Sequence, residues 1–307
     1  MKLSRTVRVG SRSSPLALAQ TEEILSLLRE RFVDVQFEVV QLSTRGDRNA
    51  DAVLTSLGRG AFVKDIELAL LDGEIDFAVH SAKDVGPDIP DGLRIIPVGE
   101  RQDARDVLVS KPGLLLMGLP AGTRLGTGSP RRKAQIKALR PDIGVLPIRG
   151  NVGTRLEKAR GPDYDGVVIA AAGLARLGRL SETTEFLSVD QVTPDVGQGT
   201  LVAEFRQDDE EMGMMLSSVV VEETAGAFRA ERAFLDTIGG GCTAPVAAYG
   251  EVDGQRMCMY SMAATPDGGR IVRSQIEGDV SEAEEIGRKA AIALLESGAS
   301  EIVRDAD

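Results

Sequence analysis

Apolar residues along the first hundred positions switch between a two-residue and a three-to-four-residue spacing, the signature of strands alternating with helices. Val7-Arg8-Val9-Gly10 is a short strand. Ser14-Pro15 supplies a helix cap and a first-turn proline, and Ala17, Ile24, Leu27 and Leu28 then share one face. Residues 35–42 form a strand with Val35, Phe37 and Val39 at alternate positions. Residues 62–71 are helical, with Phe62, Ile66, Ala69 and Leu70 inward and Gly73 as a stop. Residues 75–79 are almost entirely apolar, which predicts a central, parallel strand.

The pattern restarts near Gly122. Strands are expected at 123–126, 143–148 and 166–170, and helices at 130–139 and 151–159. Two such modules imply two α/β domains with a ligand cleft between them. The last third reads differently: a helix over 225–238, strands at 246–251, 256–263 and 270–276 with turns at Asp253-Gly254 and Asp267-Gly268-Gly269, and a final helix capped by Ser281. That is a small α+β domain with a three-stranded sheet. No internal repeat is visible residue by residue.

Charge narrows the function. The 307-residue chain carries a net charge of -11 with only 4% aromatics, which argues against a nucleic-acid binder. Against that acidic background, residues 124–158 hold Arg124, Arg131, Arg132, Lys133, Lys137, Arg140, Arg149, Arg155 and Lys158 opposite only Asp142 and Glu157. A solvated basic face is the plain alternative. The dominance of arginine, whose planar fork fits a carboxylate, favours an anion site. Two cysteines make no disulfide framework, no apolar run approaches membrane-spanning length, and the N-terminus reads as a strand with no signal-peptide core. A cytoplasmic monomer without nucleic-acid or membrane partners is expected.

Three strand-to-helix turns repeat one arrangement: Thr127-Gly128-Ser129-Pro130-Arg131-Arg132, Arg149-Gly150-Asn151-Val152-Gly153-Thr154-Arg155, and Ala170 to Arg176. Each offers free helix N–H groups beside guanidiniums, suited to a polyanion. The first lacks the Gly-Lys-Ser/Thr ending of a phosphate loop, so an NTPase is rejected. Asp84 follows the apolar strand, where α/β sheets place ligands, although an isolated aspartate there is usually a cap. His80, the sole histidine, is read as a core residue, which excludes histidine triads and multi-histidine metal sites. Cys258 lies in an alternating strand and is read as structural. Cys242 is different: it follows Gly239-Gly240-Gly241, a run able to hold a thiol away from the core. No metal site is expected.

Together these motifs resemble the porphobilinogen deaminase (hydroxymethylbilane synthase) family. The resemblance rests on Val9 to Gln20, Thr44-Arg45-Gly46-Asp47, Gly60 to Glu67, His80-Ser81-Ala82-Lys83-Asp84-Val85, Arg149 to Arg155, Val196-Gly197-Gln198-Gly199 and Gly239-Gly240-Gly241-Cys242, in family order. It implies four porphobilinogen units joined head to tail into hydroxymethylbilane with loss of ammonia, for haem and other tetrapyrroles. It further implies a dipyrromethane primer held as a thioether on Cys242, and Asp84 as the catalytic carboxylate. Arg12, Ser14, Gln20, Ser81, Lys83, Thr127, Ser129, Arg131, Arg132, Arg149, Gly150, Arg155, Ala170, Arg176, Gln198 and Gly199 would bind cofactor and substrate. The implied fold has two periplasmic-binding-protein-like domains, 1–100 with 199–219 and 101–198, and a third, 220–307, that presents the cysteine. The sequence departs from the family pattern at Gly86 and Pro130. A solute-binding module and a silent relative of the enzyme remain the competing readings.

Overall fold

The computed structural model describes residues 5–42, 63–239 and 244–304. They fall into two compact units: residues up to Arg101 with Thr200–Ala225, and Gln102–Gly199 with the residues from Gly226 onward.

In the first unit β1 (Val7–Arg12), α1 (Pro15–Arg31), β2 (Phe37–Leu42), α2 (Lys64–Leu71), β3 (Phe77–Ser81) and β4 (Leu93–Val98) follow in order, and β10 (Leu201–Arg206) and α6 (Glu210–Ser217) complete it. The sheet order is β2-β1-β3-β10-β4. β1 runs parallel to β2 and β3, while β10 is antiparallel to both β3 and β4. One face packs Ile24, Leu25 and Leu28 of α1 with Met212 and Leu216 of α6 against Phe77 and Phe205. The other packs Ile66 and Leu70 of α2 against Ala78. Val35, Phe37 and Val39 join the first face as expected, and Phe62 lies outside the described residues.

The second unit repeats the plan with β5 (Asp106–Ser110), β6 (Arg124–Gly126), α3 (Pro130–Leu139), β7 (Gly144–Leu146), α4 (Val152–Arg160), β8 (Gly166–Ala170), α5 (Ala171–Arg176) and β9 (Glu185–Phe186), ordered β7-β6-β8-β5-β9. Here β5 is the antiparallel strand. The inserted strand thus comes last in the first sheet and first in the second, so the shared plan leaves no simple repeat in the sequence. The same unit holds α7 (Glu222–Ile238) from Gly226 onward, the antiparallel sheet β11 (Val246–Asp253), β12 (Arg256–Ala264) and β13 (Ile271–Asp279), then α8 (Ala283–Leu294) and α9 (Ser300–Arg304). Phe234 of α7 and Leu294 of α8 cover one face of that sheet, and Ala134 of α3 meets Ala247 and Met262 on the other.

The α/β class, the two sheet-bearing modules and the three-stranded α+β part all appear as expected. Several details differ. The strand expected at 75–79 is β3, shifted two residues: Asp76 still donates its N–H to the Arg8 carbonyl at 2.8 Å, but its carboxylate takes the Arg8 N–H at 2.7 Å and the Arg5 guanidinium at 2.8 Å. One neighbour of β3 is also antiparallel. β7 stops at Leu146, since Pro147 has no N–H to continue a ladder. Asp279, not Ser281, caps the turn before the last long helix: its Oδ1 accepts both the Ser281 N–H and hydroxyl at 2.9 and 2.7 Å.

The close approach of α8 to α7 depends on Gly287, where an added Cβ would sit 2.0 Å from the Ala230 carbonyl oxygen. Helix propensity favours alanine over glycine by about 1 kcal/mol. Overpacking against a rigid backbone costs about 1–3 kcal/mol or more and should win. Gly287→Ala is therefore expected to lower the denaturant midpoint in equilibrium unfolding; a raised midpoint would show that the helices separate without cost.

Candidate active site

In the first unit the expected residues gather at the C-terminal ends of β1 and β3, which are parallel neighbours. Arg12 ends β1. Ser14 caps α1, its hydroxyl accepting the Ala17 N–H at 3.2 Å, and Gln20 is buried one turn later. Ser81 ends β3 and is buried. The next three residues, Ala82–Asp84, make a 3-10 turn anchored by the Ala82 N–H on the Thr200 carbonyl at 3.0 Å. Buried Ala82 and Val85 bracket the turn, so half-buried Lys83 and exposed Asp84 are turned outward together. Among the described residues no hydrogen bond or ion pair engages the Asp84 carboxylate. A placed, solvent-facing carboxylate at a strand end can meet a cation on a ligand.

His80 is a core residue, as the sequence suggested. Its Nε2 lies 3.0 Å from Oε2 of Glu204 on β10, and both side chains are buried.

In the second unit the parallel strands β6, β7 and β8 aim their C-terminal ends at one edge. There α3 begins at a Ser129 cap whose hydroxyl accepts the Arg132 N–H, with buried Thr127 accepting the Ser129 N–H at 3.2 Å. Arg131 and Arg132 are not solvated first-turn cations: they are 4% and 5% exposed. Both close on Asp106 at the start of β5. Arg131 Nη1 lies 2.8 Å from Oδ2, and Arg132 Nε donates to Oδ1 at 2.9 Å. Burial alone would raise the Asp106 carboxyl, but the two guanidiniums hold it far below the usual carboxylate range. Arg131 is itself pushed upward, since Asp106 and Asp195 outweigh its desolvation.

Gln198 completes the cluster. Its Nε2 donates to Asp106 Oδ1 at 2.8 Å and to the Ala104 carbonyl at 2.6 Å, and its Oε1 accepts from Arg132 at 3.1 Å. Arg176 donates to the Gly199 carbonyl at 3.0 Å. Arg131 Nη1 also donates to the Thr193 carbonyl at 2.6 Å, yet its Nε and Nη2 are buried and have no hydrogen-bond partner among the described residues. Those two N–H groups form the edge of a guanidinium that takes a carboxylate bidentately. A second basic group sits at the β7–α4 turn, where Arg155 Nε donates to the Gly150 carbonyl at 2.8 Å and Lys158 to that of Arg149 at 3.0 Å. Ala170 stands at the start of α5.

Arg131, Arg132 and Gln198 thus meet on one buried carboxylate, Arg176 holds the adjoining Gly199 carbonyl, Thr127 and Ser129 shape the start of α3, and Arg149, Gly150 and Arg155 lie on the β7–α4 turn. Asp106 was missed in the sequence. Its signal was an aspartate opening the apolar run Val107-Leu108-Val109, where a charge must be paired to be buried. Cys242 with its preceding Gly240 and Gly241, and the Thr44 to Asp47 motif, lie outside the described residues. Cys258 is half-buried on β12 and accepts the Gln275 amide at 3.1 Å. Among the described residues no cluster of metal-ligating side chains occurs, and no helix is long and apolar enough to cross a membrane.

Two family models match the chain. Residues 7–214 match the porphobilinogen deaminase dipyromethane cofactor binding domain, and residues 225–296 match the porphobilinogen deaminase C-terminal domain. Curated porphobilinogen deaminases are similar over almost the whole chain. That of Geobacillus kaustophilus is 45% identical, with 97% of each chain covered. That of Alkaliphilus metalliredigens is 44% identical, covering 97% of this chain and 95% of the relative. The Bacillus subtilis protein is 42% identical, covering 98% and 96%. By domain content and by likeness along its length, the chain belongs to the porphobilinogen deaminase family.

Proposed function

We propose that the chain is a transferase that condenses four porphobilinogen molecules head to tail into hydroxymethylbilane, releasing one ammonia for each unit added. The observation that supports this most directly is the buried, uncommitted Nε–Nη2 edge of Arg131 within a cluster of cations. Each porphobilinogen brings an acetate and a propionate, and a growing chain needs several bidentate sites. The same edge fits the carboxylates of a dipyrromethane, so Arg131, Arg132, Arg149, Arg155 and Arg176, with Thr127, Ser129 and the backbone at Gly150, Ala170 and Gly199, would hold cofactor and substrate. Arg12, Ser14, Gln20, Ser81 and Lys83 would do so from the strand ends of the first unit.

A bound dipyrromethane supplies a free pyrrole α-carbon as nucleophile, and Cys242 would tether it through a thioether. Asp84 acts on the incoming substrate. As the aminomethyl C–N bond breaks and ammonia leaves, positive charge spreads over the pyrrole, and the Asp84 carboxylate stabilises it. Asp84 would also be placed to take up the proton displaced as the new C–C bond forms. A fixed carboxylate facing a developing cation is often the largest single catalytic contribution. The reading includes three domains, 1–100 with 199–219, 101–198 and 220–307, and a cytoplasmic monomer acting on small molecules, not nucleic acid.

Three outcomes test this. Intact mass of the purified chain should exceed the sequence mass by two linked pyrrole units, and the excess should vanish in Cys242→Ser; an active chain of bare sequence mass would overturn the reading. Asp84→Asn should cut ammonia release by on the order of 10²-fold or more, with substrate binding largely retained. Asp106→Asn should leave two buried guanidiniums without their counter-charge, lowering stability by about 3 kcal/mol near neutral pH and raising KM. Because the folded Asp106 carboxyl lies below its ordinary value, its contribution is fully present above about pH 4 and fades as pH falls further. The stability gap between the natural chain and Asp106→Asn should therefore narrow in acid, as read by denaturant unfolding at two pH values. A gap independent of pH would show that Asp106 acts through packing alone.

A further inference from the structure

Glu231 is a carboxylate that the proposed chemistry does not use, and it is fully buried. Its Oε2 accepts the Gly197 N–H at 2.6 Å, and its Oε1 accepts the Gly250 N–H at 2.8 Å. One end of this bridge is β11. The other is the 195–199 turn, which carries a disproportionate share of the arginine site. Gly197 and Gly199 both have positive φ, 72° and 90°, which points buried Gln198 into the cluster between them. Gln198 then orients Arg132 and Asp106, and the Gly199 carbonyl receives Arg176. Val196, the residue before, is embedded in the core under the C-terminal sheet.

We infer that Glu231 is a positioning residue for substrate binding: by gripping Gly197 it sets where Gln198 and Gly199 hold the Arg132 and Arg176 guanidiniums. The inference rests on the proposed function for the identity of the ligand, not for the geometry. Glu231 lies on α7, which continues seven residues to Ile238 and then enters the glycine run before Cys242. At 1.5 Å per residue, those seven residues span roughly 10 Å of stiff helix. One carboxylate thus refers the C-terminal half of α7, β11 and the 195–199 turn to a common frame. Two of its partners are backbone amides, and they lie in different segments of the chain.

A purely structural role would lower the stability of Glu231 variants while leaving KM of the folded enzyme intact. The test uses cofactor-loaded full-length enzyme, natural and Glu231→Gln, in which the amide can accept only one of the two N–H groups. KM for porphobilinogen is expected to rise about tenfold with kcat within about twofold, the pattern of lost uniform binding. Combined with Gln198→Ala, the effect on KM should be clearly less than the product of the single effects, because both act through one turn. Hydrogen exchange should quicken in peptides covering 195–199 and the first turn of α3, while β12 keeps its protection. Arg270→Ala, which breaks an exposed ion pair between the residue before β13 and Glu301 on α9, should leave KM unchanged. Should Glu231→Gln fail to fold, Glu231→Asp, one methylene short, is read in the same way.

An unchanged KM, multiplicative effects in the double variant, or loosening that does not reach α3 would each overturn the inference. If the natural enzyme itself releases no ammonia from porphobilinogen, the proposed function fails instead. The exchange pattern then judges the positioning role alone.

Discussion

One buried carboxylate between two guanidiniums organises the second unit. Asp106 begins β5, Arg131 and Arg132 begin α3, and each charge would be prohibitively costly to bury without the others. The pairing is uneven by design of the residues: two cations meet one anion, and Asp195 adds only a further Coulombic pull on Arg131. A cluster with cationic character and an unsatisfied guanidinium edge is poorly suited to being only a fold stabiliser, since apolar residues of like volume would serve as well or better. It is well suited to receiving a carboxylate, which completes both the charge and the hydrogen bonds.

The turn at 195–199 converts that local pairing into a connected device. Gln198 touches Asp106 and Arg132, Gly199 receives Arg176, Val196 sits in the C-terminal core, and Gly197 is held by Glu231. Two left-handed glycines make this path possible, because a side chain at either position would strain the backbone. The arginines are thus fixed by the far end of the chain as well as by their own helix. Asp84 is held differently, on a short turn with apolar anchors at Ala82 and Val85 and its carboxylate left open.

Much of this was legible in the sequence because it is encoded locally. Ser129-Pro130 and Asn151 announce their helices through capping chemistry, and the structure shows both caps made. The run Gly166-Val167-Val168-Ile169-Ala170 is a strand from end to end. What stayed hidden depends on distant partners. β5, β9 and β10 are antiparallel or short insertions whose place in a sheet is set by neighbours far along the chain. The arginines could be counted, but their burial could not, because the compensating Asp106 lies outside the basic stretch. Glu231 reads as one more charge on an amphipathic helix until its two backbone partners are known. In each case the missing information was a long-range pair.

The acidic balance of the whole chain makes the same point about scale. A net charge of -11 would repel a polycarboxylate if the molecule acted as a smooth charged body. Charges exposed to solvent are screened within about 10 Å at ordinary salt, however, while a buried guanidinium is screened far less. The exposed acids therefore contribute little at the site beyond that distance, and the local cations dominate there. Net charge argues against nucleic acid as a partner, but it says nothing against a carboxylate-rich ligand. For such a ligand the deciding quantity is the number of uncommitted N–H groups that the fold holds out of water.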